Sequence, residues 1–254
     1  MRAAVVVTAQ FGVVVALSAW LLPSVRGYVR AHPYFAVREV VIEHRGRVPA
    51  ATLRAQAGVG IGMSVWDVDA SAVEGRLRAL PWVRSARVRR ELPNRLVLRV
   101  REHRPVAILR VDAAASRLFY VAAGGDVFAA VGAHDGRDLP YVSGLSEDDL
   151  GGSGVARDAI RAALDVVRAA ERHREALGVV SEVHVDRDRG LTLLPVRPAI
   201  PIQLGWDDYD GKLARVAEVL PHWTGREREV RSVNGFFADT VVVKLRSIPR
   251  EWGA

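Results

Sequence analysis

An α+β fold is predicted for this chain of 254 residues. The expected order is an N-terminal transmembrane helix, a small β-α-α-β-β domain, then a mixed β-sheet domain with flanking helices. Three observations predict it. Ala3 to Leu22 is a run of 20 residues without a charge. Leu96, Leu98 and Val100 alternate with Val97, Arg99 and Arg101, the period of a strand with one apolar and one mostly charged face. Ile160, Leu164 and Val167 recur at helical spacing, so the second half contains at least one amphipathic helix. With 50% hydrophobic and 26% charged residues, the composition is that of a folded chain, not a disordered one.

The apolar run comes first. At about 1.5 Å rise per residue, 20 helical residues span about 30 Å, the hydrocarbon thickness of a bilayer. Trp20 and Tyr28 stand where interfacial aromatics would. A cleaved signal peptide is the competing reading, since Ala16-Leu17-Ser18 offers small residues for a peptidase. The run is longer than a usual signal core, which favours an anchor at 3–22 between a short cytoplasmic end, 1–2, and a linker, 23–34. Only Arg2 precedes the run, whereas Arg26, Arg30 and Arg38 follow it. By the positive-inside rule alone, the large domain would be cytoplasmic.

After the linker, Phe35 to Glu43 is predicted as a strand, with Val37, Val40 and Ile42 apolar, and Gly46 as a turn. Pro49 to Ala57 is predicted as a short helix, closed by Gly58. Asp69 is the expected N-cap of a second helix containing Val73 and Leu77, ended by Pro81. Strands follow at 83–90 and 96–102, joined at Pro93-Asn94. The second half is expected to hold strands at 118–121 and 127–130, a loop punctuated by Leu139-Pro140 and Gly144, and a helix at 157–177 closed by Gly178. Strands at 179–185, 191–194 and 200–204, a helix at 209–220 and a closing strand at 240–246 complete it. Residues 247–254 form the tail.

Absence of cysteine excludes a disulfide framework and any thiolate metal site. The net charge is +7, and Arg84 to Arg104 holds eight arginines against Glu91 and Glu102. With no reading module and few interleaved aromatics, nucleic acid is not an expected partner, and the stretch is read as a solvated strand face. His184-x-Asp186-x-Asp188 could hold a divalent ion on one strand face, but Asp186 to Gly190 reads equally as a turn. In Asp208-x-Asp210-Gly211 a calcium loop would need ligands at Trp206 and Ala217; these aspartates are expected to cap the following helix instead. No metal, cofactor or catalytic residue is therefore assigned. No nucleophile elbow, P-loop or dinucleotide turn is present. Trp82 is expected to pack between the second helix and the sheet.

Phe35-x-Val37-x-x-Val40-x-Ile42, Gly46, Val68-Asp69, Pro81-Trp82-Val83 leading to Arg90, then Pro93-x-x-Leu96 and Glu102-x-x-Pro105-Val106-Ala107 form a pattern. It resembles the POTRA domain of the FtsQ/DivIB family of bacterial cell-division proteins. Leu92 stands where that family often has Trp. Gly125-Asp126-Val127-Phe128, Leu139-Pro140-x-x-x-Gly144, Leu204-Gly205 and Lys212-Leu213 resemble the family's β domain. The resemblance implies a POTRA domain at 35–107 and a β domain at 108–246. It also implies a single-pass type II protein of the inner membrane whose ectodomain is periplasmic, the reverse of the flanking-charge orientation; a basic tail ahead of Met1 would reconcile the two. Such a protein is a non-enzymatic scaffold that joins the divisome at the septum by binding FtsB-like and FtsL-like partners. The alternatives are a secreted hydrolase using His184 and its aspartates, or a POTRA-type chaperone.

Where relatives often read Ile-Asp-Leu-Arg-Phe, this chain reads Val233-Asn234-Gly235-Phe236-Phe237. The strand after it is expected at a sheet edge, open to a partner strand. Phe236 and Phe237 are the expected aromatic anchors. Val241 and Val243 are expected on one face, Val242 and Lys244 on the other.

Overall fold

The computed structural model describes residues 27, 28, 30, 32–112, 117–132, 135–151, 154–237 and 239–246. The expected transmembrane helix at 3–22 and the tail at 247–254 lie outside the described residues. Among those described, no helix is long and apolar enough to cross a membrane. Two compact units follow each other, Met1–His103 and Arg104–Ala254.

The first unit contains β1 (Glu39–His44), α1 (Ala50–Ala57), α2 (Ala70–Arg78), β2 (Val83–Glu91) and β3 (Arg95–Glu102). The strands form a sheet in the order β1-β3-β2, with β1 parallel and β2 antiparallel to β3. Leu53 and Ala57 of α1 and Val73 and Leu77 of α2 join Leu96, Leu98 and Val100 of β3 in one buried cluster. Full burial of each leucine contributes roughly 1.5–3 kcal/mol. Asp69 caps α2 as expected: its carboxylate accepts the Ser71 and Ala72 N–H groups at 2.9 and 3.2 Å. The Ser71 hydroxyl, then the Ala72 N–H, hold that carboxyl below its usual range.

Two expectations are corrected here. The first strand begins at Glu39, not Phe35. Phe35 ends a 3-10 turn opened by Pro33, and its ring meets Trp66 edge-on at 5.8 Å. The backbone of Val37 pairs with Met63 and Gly62 at 2.7 and 2.8 Å, so that segment bonds to a loop and not to the sheet. Trp82 is only half-buried and lies beneath the Arg47 guanidinium, 5.0 Å from its ring centroid. Trp66, not Trp82, packs against the core cluster.

The other motif positions have local roles. The Glu102 carboxylate accepts the Arg47 and Val48 N–H groups at 2.7 and 3.0 Å. A Cβ on Gly46 would lie 2.2 Å from that carboxyl carbon. Arg90 donates to the Val68 carbonyl at 2.7 Å. Val83 is buried, Pro81 is exposed in the turn before it, and Pro93 lies in the β2–β3 turn.

The second unit contains β4 (Pro105–Asp112), β5 (Arg117–Ala122), β6 (Val127–Ala130), β7 (Tyr141–Ser146), α3 (Val155–Arg172), β8 (Val180–Asp186), β9 (Gly190–Pro195), β10 (Ile202–Gly205), α4 (Tyr209–Val219), β11 (Val230–Asn234) and β12 (Val242–Leu245). Its sheet runs β12-β11-β10-β9-β8-β7-β4-β5-β6. The β4–β7, β7–β8 and β10–β11 pairs are parallel and the rest antiparallel. Helices α3 and α4 join Leu109, Val142, Val183, Leu193 and Ile202 in one large cluster.

Here too the expectations needed changes. The expected division after Ala107 falls inside β4, which belongs wholly to the second sheet. The segment around Gly144 is strand β7, not loop. Its register against β4 shifts between Leu109 and Val111, so Val142 and Leu145, three apart, both reach the core. Such a bulge destroys the alternation that marks a strand. It requires glycine: Gly144 has φ +85, and a Cβ there would lie 2.1 Å from the Val185 carbonyl oxygen. The long helix ends at Arg172, and a separate turn, Arg174–Leu177, follows. Strand β11, not expected, pairs with β10 through Ile202↔Val233.

Candidate docking edge

The closing strand β12 is antiparallel to β11, pairing Asn234↔Val242, Val233↔Val243, Ser232↔Lys244 and Val230↔Leu245. It stands last in the sheet, so its outer side has no strand partner among the described residues. Val241 and Val243 pack against the core, while Val242 and Lys244 face solvent. The expected alternation is therefore present, and Leu245 is exposed as well.

Phe236 and Phe237 precede this strand and are 54% and 51% exposed. Their rings meet edge-on at 6.0 Å. The Phe236 N–H donates to Asn234 Oδ1 at 2.9 Å, and the Gly235 N–H donates to the Gln203 carbonyl at 2.9 Å. The segment is thus tied to β10 and β11 while its rings stay open. Trp206, just after β10, is also exposed. Trp206, Phe236, Phe237, Val242 and Leu245 make this end of the sheet rich in uncovered apolar surface.

Beneath Phe236 lies a charged seat. Lys212 of α4 is 4% exposed. Its Nζ donates to the Leu204 carbonyl at 2.9 Å and pairs with Asp207. It also lies 5.6 Å from the Phe236 ring centroid. The Lys212 hydrogen bond holds the Asp207 carboxyl below its usual range. Gly205 has φ +72, and a Cβ there would fall 2.6 Å from Cδ2 of Phe236, so the ring occupies the space a side chain would need.

The other candidates have quieter roles. The Asp186 carboxylate accepts the Asp188 and Arg189 N–H groups at 2.9 and 3.0 Å; these bonds, that to Arg189 first, lower its pKa. That is a turn. Among the described residues no cluster of metal-ligating side chains forms. The Ser143 hydroxyl donates to Glu182, lies 3.0 Å from Nδ1 of His184, and is 1% exposed. One buried hydroxyl thus spans both neighbours, and Arg110 pairs with the same Glu182 at 2.9 Å. Asp208 caps α4 by accepting the Gly211 N–H at 3.3 Å, as expected, whereas Asp210 stands inside the first turn and pairs with Arg172 at 2.7 Å. Arg84, Arg87, Arg89, Arg99 and Arg101 are all exposed on the β2–β3 side of the first sheet.

The chain matches the POTRA domain, FtsQ-type, over residues 35–103. It matches the cell division protein FtsQ/DivIB C-terminal family over residues 110–235. It is 31% identical over 217 residues to cell division protein FtsQ of Syntrophotalea carbinolica, covering 85% of this chain and 76% of that one. It is 29% identical over 190 residues to the FtsQ of Geotalea daltonii, covering 74% and 68%. With the FtsQ of Myxococcus fulvus the identity is 30% over 205 residues, covering 80% and 70%.

The chain belongs to the FtsQ/DivIB family.

That family is one of non-enzymatic cell-division proteins. Its C-terminal match stops at Gly235, one residue before the aromatic pair. Sequence reasoning placed Phe236, Phe237 and β12 but gave Gly205 and Lys212 no part in the site. Their family-like spacing was visible; that they meet Phe236 depends on β10 and β11 being parallel neighbours.

Proposed function

We propose that this chain is a non-enzymatic division scaffold that binds FtsB-like and FtsL-like partners by strand addition at β12. It acts from an inner-membrane anchor, with its folded units in the periplasm at the septum. One observation carries the reading: among the described residues the β12 edge of the sheet has no strand partner and is flanked by exposed apolar side chains. A four-residue strand offers about two outward N–H and two outward C=O groups, together roughly 2–6 kcal/mol at 0.5–1.5 kcal/mol per bond. That is at most comparable to the low end of the cost of association, about 4–15 kcal/mol, so main-chain pairing calls for the two phenylalanines as anchors.

The test is calorimetric titration of the full chain, in nanodiscs, with a purified FtsB–FtsL extracytoplasmic complex. Successive N–H groups of an edge strand alternate between the sheet and the open side. Of Val242→Pro and Val243→Pro, the variant whose N–H faces outward is expected to lose binding while both units stay folded. Unchanged affinity in both variants, with the second unit intact, excludes strand addition at β12.

A further inference from the structure

We infer that Lys212 is a positioning residue for docking: its buried ammonium holds the Phe236 ring over Gly205 in the pose a partner meets. The inference rests on the docking reading of β12 and goes beyond it, because Lys212 itself presents almost no surface to a partner.

Four observations carry it. First, an almost fully buried lysine is uncommon and requires partners. Two contacts hold Nζ, the Leu204 carbonyl at 2.9 Å and the Asp207 carboxylate. Second, the same Nζ lies 5.6 Å from the Phe236 centroid, within the range of cation–π attraction, which strengthens where the cation is desolvated. Third, the ring lies so close to Gly205 that a Cβ there would come within 2.6 Å of it. Fourth, the backbone at 235–236 is fixed by the bonds to Gln203 and Asn234. The ring is thus held from one side while half its surface remains open. An anchor ordered before contact loses less rotamer freedom on binding. A lysine needed only to tie β10 to α4 would be satisfied by Leu204 and Asp207 alone.

The experiment labels position 236 with 4-fluorophenylalanine in the full chain. It follows the fluorine resonance and titrates the FtsB–FtsL extracytoplasmic complex by calorimetry. Lys212→Met is expected to shift or broaden the resonance and weaken binding about tenfold. Lys212→Arg, which keeps a cation, should recover part of that loss. Asp207→Asn changes only an exposed side chain and should move the resonance in the same direction with a smaller loss of affinity. A folded Lys212→Met variant with the parent resonance, or with affinity within about twofold of the parent, overturns the inference. Should Lys212→Met melt, Asp207→Asn decides, and an unmoved resonance there overturns it equally. Phe236→Ala separates the two levels. Loss of binding in Phe236→Ala without loss in Lys212→Met removes only the role of Lys212; full binding in Phe236→Ala removes the docking site and the role of Lys212 with it.

Discussion

Strands β2 and β12 are both sheet edges, and they treat the exposed backbone in opposite ways. Strand β2 is nine residues long and carries Arg84, Arg87, Arg89 and Arg90. Charged side chains along an edge oppose pairing with another chain. Arg87 even stands opposite Arg99 in register, and Glu43 offsets that repulsion by bonding Arg99 at 2.6 Å. Strand β12 is four residues long, Val242–Leu245, with one charge, and follows two exposed phenylalanines. The β2 edge is lined with charge; the shorter β12 edge is preceded by exposed aromatic rings. Edge position alone therefore does not set how open a strand is to pairing; the side chains along it do.

Three variants probe this contrast. Val242→Lys gives β12 the kind of guard that β2 carries. It should weaken the FtsB–FtsL complex about 10–100-fold without moving the melting midpoint, because Val242 faces solvent. Calorimetry with a parallel melt reads both; a variant that binds as the parent does would mean that β12 meets no partner. The converse change, Arg87→Val with Arg89→Val, removes the guard from β2. It should leave the fold intact and raise self-association, visible as a shift to larger species in sedimentation velocity; unchanged sedimentation at high concentration would show that the arginines are not what keeps this edge free. The smallest effect is expected from Trp82→Ala, just before β2. Stacking under Arg47 on a half-buried ring is worth about 1–2 kcal/mol, below the 3–5 kcal/mol of a fully buried aromatic. Denaturant unfolding measures it, and a loss in the higher range would return Trp82 to the core.

The first unit was largely legible because each of its signals is local. Asp69 caps α2 two and three residues on, Gly58 closes α1 with φ +62, and β3 alternates along its own length. Trp82 was misplaced because size argues for burial, while only the tertiary structure sets Arg47 above the ring. The second unit was harder. Strand β4 was concealed by being read as the end of the first domain, and β7 by its Gly144 bulge. Strand β11 pairs with β10 in parallel across an intervening helix, and no local pattern announces that. At the docking edge, the exposed strand and the phenylalanines could be named from sequence. The seat of Gly205 and Lys212 could not, since they meet Phe236 only once β10 and β11 pair.

The order of strands in the second sheet has a further consequence, in time. From β8 onward each strand is laid beside its predecessor, so the sheet grows outward in the order in which the chain is made. The first unit ends at His103, and synthesis at about 5–20 residues per second leaves it on the order of 10 s ahead of β12. Until β12 emerges, the growing sheet ends at β11. A nascent or truncated chain that stops short of Val242 can fold its first unit but offers no Val242–Leu245 edge. Under the docking reading proposed above, the edge that a partner would meet is thus the last strand of the sheet to be completed.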